Sequence, residues 1–148
     1  MKKAACFSAL VADDERISRN VVIRALRREG FVCVGVQDGH EAFQRAREER
    51  FDAVVLDLVL AGISGPALIV KLLELPYRPA LVVLTALQSP ELAKELIRQG
   101  IDYFEGKPAK MDLLAAKVRA LVEKRTKRKY AASDDCLRSD LACVTTNE

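Results

Sequence analysis

Several short apolar stretches of the sequence end in a polar side chain that could take part in chemistry. Asp57 lies within AVVLDLVL, where the other seven residues are all apolar. A lone carboxylate in such a buried segment is unfavourable unless another group compensates its charge. The candidates that follow other apolar stretches are Asp13, Asp14, Thr85 and Lys107.

These side chains are suited to phosphoryl transfer if they lie together. Three neighbouring carboxylates, those of Asp13, Asp14 and Asp57, repel one another unless a cation lies between them. Oxygen ligands with room for water favour Mg²⁺, and Mn²⁺ accepts the same ligands. Lys107 adds a second positive charge, and the Thr85 hydroxyl can donate to an anionic oxygen. Asp57 is then the nucleophile that attacks a phosphoryl group.

Alternating strands and helices must position these residues. Apolar runs predict five β-strands, at residues 7–12, 31–36, 53–58, 80–84 and 102–104. Helical spacing of apolar residues predicts five helices, at about 15–30, 39–50, 64–75, 90–99 and 111–127. The first helix has helical spacing at Ile17, Val21, Ala25 and Arg28, and Val22 and Leu26 widen its apolar face. The last helix has an inward face that includes Leu113.

This alternation predicts an α/β fold with a parallel sheet and helices on both faces. The carboxyl ends of parallel strands form one crevice, so the polar residues that follow strands one, three, four and five converge there. Taken alone, the Asp13-Asp14-Glu15 run has a second interpretation as a helix N-cap with an acidic first turn. The joint placement of the residues at several strand ends favours a shared site.

The sequence resembles the receiver domains of two-component response regulators over residues 5–125. The matching segments are LVADDE, VVLDLVLAGISG, LVVLTA and GIDYFEGKP. The resemblance implies a five-stranded sheet in the flavodoxin-like order 2-1-3-4-5. It also implies a role for each matching residue: Asp57 as phosphoacceptor and metal ligand, Asp14 as direct Mg²⁺ ligand, Asp13 as a ligand largely through water, Val59 as a ligand through its backbone carbonyl, Thr85 and Lys107 as contacts of the phosphoryl oxygens, and Phe104 with Thr85 as the switch pair.

The sequence departs from the usual receiver pattern at a few positions. Leu60-Ala61 replaces a common Met-Pro pair, so the loop after the phosphoacceptor is expected to be less rigid. Glu105 replaces an aliphatic residue after the switch aromatic, and Ala109 stands where Phe is common. Val59 and Leu87 occupy the two positions that border the path of the hydrolytic water in this family. Both are apolar and cannot orient a water, so a long-lived phosphoaspartate is expected.

The resemblance implies a signalling module that is not an enzyme beyond self-phosphorylation from small donors and slow autodephosphorylation. A histidine kinase or histidine phosphotransfer protein would phosphorylate Asp57, and the surface of helix 4, strand 5 and helix 5 would change for an effector protein or a linked output domain. Homodimerisation through the same surface is a further expectation. The alternative is a receiver fold that binds proteins independently of phosphorylation. A haloacid-dehalogenase-like phosphatase is disfavoured, because that chemistry needs an acid where Val59 stands.

The end of the chain differs in charge from the rest. Residues 1–123 hold 18 Lys and Arg against 17 Asp and Glu, whereas residues 124–129 read KRTKRK. We interpret 126–148 as a basic helix end followed by a disordered polar tail or linker, with no direct nucleic-acid binding expected because no aromatic residues interleave the basic ones. The apolar start is interpreted as a strand rather than a signal peptide, and Cys6 and Cys33 as buried thiols; we expect a cytoplasmic protein without a membrane span.

Overall fold

The structure is a computed structural model that describes residues 6–87 and 89–132. Five strands form one parallel sheet in the order β2-β1-β3-β4-β5, which confirms the predicted fold and strand order. The strands are β1 (Phe7–Ala12), β2 (Phe31–Val36), β3 (Ala53–Leu56), β4 (Ala80–Thr85) and β5 (Tyr103–Gly106). Each connection between parallel strands contains a helix, as a crossover requires.

The helices are α1 (Arg16–Arg28), α2 (Gly39–Glu48), α3 (Gly65–Leu73), α4 (Pro90–Gln99) and α5 (Met111–Ala132). Local sequence explains where several of them begin. The side chains of Asp38, Ser64 and Ser89 each accept a hydrogen bond from a backbone N–H in the first turn of α2, α3 and α4. Gly100 ends α4 with a positive φ of 131°, a conformation that favours glycine.

Two apolar clusters cover the two faces of the sheet. One cluster joins α1 and α5 to the sheet, and the other joins α2, α3 and α4 to it. Strands β3 and β4 are buried along their whole length, which explains why their sequences are apolar without alternation. Because both faces of β3 and β4 are covered, the polar residues that adjoin these two strands lie at the two edges of the sheet, where the strands begin and end.

The helix faces were predicted less well than the strands. Ile17 is 72% exposed and Leu113 is 66% exposed, although both were placed on inward faces. Helix α1 does bury Val22, Ala25 and Leu26, as predicted, but it buries Ile23 in place of Ile17, so its contact face is turned toward Ile23. The prediction for Cys6 is also wrong, because this thiol is exposed, whereas Cys33 is half-buried.

The last helix extends farther than expected, to Ala132 rather than about residue 127. The basic run at 124–129 therefore lies within α5, and the predicted tail from residue 133 onward falls outside the described residues. Over the part of the chain that the structure describes, no helix is both long enough and apolar enough to span a bilayer.

Candidate functional site

Backbone hydrogen bonds place three of the predicted site residues at the carboxyl edge of the sheet. The amide of Asp13 donates to Val36 O at 3.1 Å, and that of Asp57 donates to Ala12 O at 3.1 Å. The amide of Lys107 donates to Thr85 O at 2.8 Å. These bonds continue the hydrogen-bond pattern of the sheet just beyond the strands, so the backbone of each residue is fixed by its neighbouring strand.

The side chains of these three residues meet at one point. The Lys107 ammonium lies 3.0 Å from Asp13 Oδ2 and 3.0 Å from Asp57 Oδ2. The two carboxylate oxygens are therefore no farther apart than twice that distance. The Asp13 side chain is 6% exposed and that of Lys107 is 21% exposed, so water screens the cluster only in part. We call this group of Asp13, Asp57 and Lys107 the carboxyl-edge cluster.

The environment of Lys107 favours its charged form. Burial acts to lower the pKa of its ammonium, but the hydrogen bonds to Asp57 and Asp13, together with their negative charges, raise the pKa above the ordinary value. Lys107 is therefore a permanent cation at neutral pH. It can neutralise an anionic group that binds between the two carboxylates.

Two residues that sequence reasoning missed support the cluster from α1. Ser18 Oγ lies 3.0 Å from the Lys107 ammonium. The guanidinium of Arg19 donates to the backbone oxygen of Asp13 at 2.7 Å, which fixes the turn that carries this carboxylate. The available sequence signal was the position of Ser18, one helical turn after Asp14. That spacing alone does not indicate a partner 89 residues away.

Asp14 is not drawn into the cluster in this structure. Its side chain is exposed, and within residues 6–87 and 89–132 no group of three or more His, Cys, Asp or Glu side chains is placed to hold a metal ion. The carboxylates of Asp13 and Asp57 do provide oxygen donors around a cationic centre. This donor set fits a divalent cation that prefers oxygen ligands, with Asp14 as the nearest additional carboxylate in sequence.

The loop after Asp57 is held by the beginning of α2. The Val59 amide donates to Asp57 Oδ1 at 3.1 Å, while the Val59 side chain is exposed. Farther along, the Gly39 amide donates to Ala61 O at 2.9 Å. A Cβ atom at Gly39 would lie only 2.3 Å from Ile63 O, so only glycine permits this approach. The loop therefore has an anchor even though the Met-Pro pair of the resemblance is missing.

The proposed switch residues, Thr85 and Phe104, lie on β4 and β5, next to the cluster. Thr85 is fully buried, and its Oγ1 accepts a hydrogen bond from the Leu87 amide at 3.3 Å. Phe104 is half-buried and packs against the apolar cluster of α2, α3 and α4. Its Cα pairs with Val83 on β4, so the ring belongs to the strand next to that of Thr85.

Glu105, which follows Phe104, has a specific partner on its own strand. The Tyr103 hydroxyl donates to Glu105 Oε1 at 2.5 Å. This hydrogen bond, followed by burial and the charge of Glu105, raises the pKa of Tyr103. The carboxylate that departs from the usual receiver pattern is thus fixed by a tyrosine on β5. It adds a negative charge to the surface near α4 and α5.

The geometry as a whole supports charge-assisted chemistry at a carboxylate. A partly exposed aspartate lies beside a permanent cation and a second, more buried aspartate. Water reaches one side of the site, so a substrate can approach Asp57. An anionic group that bonds to Asp57 would be stabilised by the ammonium at short range.

Comparison with known proteins identifies the family and supports the fold. The family model for the response regulator receiver domain matches residues 9–119. The response regulator MprA of Mycobacterium bovis is 33% identical over 133 residues, which cover 89% of this chain and 57% of that protein. The curated relatives that the chain matches are longer, and the chain spans from about a third to a little over half of their length.

Solved structures show the same fold. The BeF₃-activated receiver domain of DrrB has a TM-score of 0.74 and 25% identity, covering 80% of this chain and 99% of that one. The receiver domain of the sensor histidine kinase PA1611 of Pseudomonas aeruginosa, solved with magnesium coordinated in its active-site cleft, has a TM-score of 0.71 and 23% identity, covering 80% of this chain and 99% of that one. Fold, site residues and the family match together lead to one assignment: the chain belongs to the response regulator receiver domain family.

Proposed function

We propose that this chain accepts a phosphoryl group on Asp57 and thereby switches a protein-binding surface. The observation that carries the proposal is the Lys107 ammonium, held 3.0 Å from both Asp13 and Asp57 at the carboxyl edge of the sheet. A buried structural ion pair needs one carboxylate for one ammonium. Two carboxylates around a single ammonium leave a net negative charge, which suits a site that also takes up a metal cation.

The reaction is an in-line displacement at phosphorus. An oxygen of Asp57 forms the new P–O bond as the P–N bond of a phosphohistidine breaks, and the leaving imidazole takes up a proton. Lys107 is close enough to Asp57 to contact the oxygens of the transferred group. The Thr85 hydroxyl, now bonded to the Leu87 amide, is the second proposed contact. Acetyl phosphate and similar small donors would react in the same way.

Mg²⁺ is the proposed cofactor, and Mn²⁺ is a plausible substitute. Asp13, Asp14, Asp57 and the backbone carbonyl of Val59 would hold it, in agreement with the oxygen donors present at this edge. When bound, the ion neutralises charge on the transferring phosphoryl oxygens.

The proposed output is a two-state change on the surface of α4, β5 and α5. A phosphoryl group that attracts the Thr85 hydroxyl would open space beside β4, and Phe104 on the adjacent strand can turn inward to fill it. Because Phe104 has no hydroxyl, packing alone would drive its rotation. The charge at one edge biases the equilibrium between the two surfaces.

The proposed partners follow from the same assignment. A histidine kinase or histidine phosphotransfer protein would supply the phosphoryl group, in the cytoplasm. An effector protein or a covalently linked output domain would read the changed surface, which could also form a homodimer. The length of the curated relatives, which exceeds that of this chain, agrees with a linked output domain. Domain limits of 5–125 for the receiver and 126–148 for the helix end and tail belong to the same proposal.

A long-lived phosphoaspartate is a further part of the proposal. The side chains of Val59 and Leu87 are both apolar and both exposed beside the site. Neither can hold a water by hydrogen bonding for attack on the phosphorus. Replacing Val59 with Asn should accelerate loss of the phosphoryl group, and unchanged decay would remove this part of the proposal.

Beryllofluoride, a phosphoryl mimic, tests the acceptor role against a phosphorylation-independent binding module. With Mg²⁺ present, it should shift the NMR signals of Asp57, Thr85 and Phe104 in the wild type. The same addition should leave Asp57→Ala unchanged. If the wild-type spectrum does not respond, the chain is a passive scaffold and the proposed function is wrong.

A further inference from the structure

A second charged region lies at the opposite, amino edge of the sheet. A cavity of about 600 Å³ opens there, lined among others by Arg50, Asp52, Tyr77, Arg78 and Arg125. Asp52 immediately precedes β3, whereas Asp57 follows that strand, so the cavity and the carboxyl-edge cluster are at opposite ends of it. We call this cavity the basic cleft.

Two of its arginines are fixed by contacts within the fold. Arg78 lies 3.8 Å and Arg125 lies 3.5 Å from the carboxylate of Asp102. Arg125 also donates to Arg78 O at 2.5 Å, and Arg78 donates to Gly100 O. Both side chains remain about one-third exposed. The guanidinium groups are therefore positioned in advance and still accessible from the cavity.

Arg50 is positioned by an aromatic ring. Its guanidinium carbon lies 5.2 Å from the centre of the Tyr77 ring. The Tyr77 hydroxyl lies 2.7 Å from Ala46 O and 2.5 Å from Glu49 O, and it accepts a hydrogen bond from the Phe51 amide at 3.2 Å. The Tyr77 ring is thus fixed in the wall of the cleft, and its stacking with Arg50 holds that guanidinium at the same wall.

The cleft has more positive than negative charge. Among the described residues, three arginines face two carboxylates, those of Asp52 and Asp102. The carboxylate of Asp52 already accepts a hydrogen bond from the Ser8 amide at 2.8 Å, so part of its hydrogen-bonding capacity is used within the fold.

One arginine also has an unused donor. Arg78 Nε is buried and has no hydrogen-bond partner among the described residues. A buried donor without an acceptor is unfavourable, so an acceptor oxygen brought to this guanidinium would improve its bonding.

We propose that the basic cleft binds the phosphate groups of a small phosphorylated molecule. The planar guanidinium forks of arginine match phosphate oxygens with two parallel hydrogen bonds each. The cavity volume lies in the range of small-molecule sites. Tyr77 and the neighbouring prolines, Pro76 and Pro79, provide flat apolar walls for the organic part of such a molecule. This site is independent of phosphorylation at Asp57.

Calorimetric titration of the full chain with pyrophosphate and with ADP, in EDTA, tests the proposal. Saturable binding of one pyrophosphate per chain is expected, equally in the wild type and in Asp57→Ala. The comparison of wild type with Asp57→Ala tests this site separately from the phosphoacceptor, whether or not Asp57 proves to be phosphorylated. Tighter binding of ADP would identify an organic phosphate as the ligand, and equal binding would identify the phosphate groups alone; both support the site.

Arg50→Gln is the primary variant, because Arg50 contacts the fold mainly through the Tyr77 ring. We expect it to weaken pyrophosphate binding about tenfold or more, as loss of a charge-assisted pair does. Arg50→Lys keeps the charge without the fork and should be intermediate. Lys94→Gln, an exposed change on α4 outside the cleft, should have no effect. Absence of saturable binding, insensitivity to Arg50→Gln, or tighter binding of an aspartate-rich peptide would overturn the proposal.

Discussion

Each edge of the sheet holds a group of three charged side chains, and the signs of the charges are reversed between the two edges. At the carboxyl edge one ammonium, that of Lys107, lies between the carboxylates of Asp13 and Asp57. At the amino edge one carboxylate, that of Asp102, lies between the guanidinium groups of Arg78 and Arg125. The first group has surplus negative charge and the second has surplus positive charge.

This difference teaches how one parallel sheet can serve two kinds of ligand. Both faces are covered by helices, and the charged residues that flank the buried strands β3 and β4 lie where these strands begin or end. An edge with surplus carboxylates suits a cation and the phosphoryl chemistry that the cation assists. An edge with surplus guanidinium groups suits binding of an anion without any chemical reaction. The predictions below test whether the charges at each edge act in this way.

The largest effect is expected from Lys107→Met at the carboxyl edge. Without the ammonium, the transferring phosphoryl group loses a short-range positive charge, so phosphorylation of Asp57 by acetyl phosphate should slow about a hundredfold or more. The rate is measured by intact mass over time with Mg²⁺ present. Lys94→Met removes an exposed lysine on α4 and should leave the rate unchanged. A normal rate in Lys107→Met would mean that the carboxyl-edge cluster is only structural.

A smaller effect is expected from Asp102→Asn at the amino edge. The asparagine oxygen can still accept from the Leu81 amide, which Asp102 Oδ2 contacts at 2.8 Å, but the negative charge shared by two arginines is lost. The free energy of unfolding in urea should fall by about 1–3 kcal/mol, while pyrophosphate binding strengthens. Asp112→Asn, in an exposed pair with Arg28, should change stability by less than about 0.5 kcal/mol. Equal stability of the two variants would contradict the shared role of Asp102.

A modest effect is expected from Ser18→Ala. The hydroxyl helps to hold the Lys107 ammonium, so its loss should reduce the free energy of unfolding by about 0.5–1.5 kcal/mol and slow acetyl phosphate transfer several-fold. Asn20→Ala, an exposed change on the same helix, is the matched control. If both variants have the same transfer rate, Ser18 does not position Lys107.

The smallest effect is expected from alkaline pH, at which lysine loses its charge and arginine keeps it. The pKa of Lys107 is raised in the folded chain, so the stability it provides is fully present below its unfolded pKa of about 10.5. That stability is lost as pH rises through the folded pKa. The stability difference between wild type and Lys107→Met should therefore shrink only above about pH 10.5. The difference caused by Asp102→Asn should persist there, because arginine stays charged.

Sequence reasoning identified the strands better than the helix faces. Strands β1 and β2 begin and end as predicted, although β2 is only partly buried. The fully buried β3 ends at Leu56, two residues before its predicted end, and β4 continues one residue farther than predicted, to Thr85. Helix α1 offers two overlapping apolar stripes. Choosing between Ile17 and Ile23 as the buried residue requires knowledge of where the sheet lies, which spacing alone does not contain.

The candidate site was predictable to the extent that it depends on strand ends. Asp13, Asp57 and Lys107 each follow a strand, and parallel topology brings them together. The contact of Ser18 with Lys107 was not predictable, because it depends on the rotation of α1. The basic cleft was missed for a similar reason: its arginines come from loops and from the last part of α5, and no local pattern relates them.

Intact mass after incubation with acetyl phosphate and Mg²⁺ tests the central claim most directly. The wild-type chain should gain the mass of one phosphoryl group, and Asp57→Ala should gain none. Arg50→Gln, altered only at the amino edge, should gain the same mass as the wild type. A wild-type chain that never gains this mass, or an Asp57→Ala chain that does, would contradict the assignment of Asp57 as the phosphoacceptor.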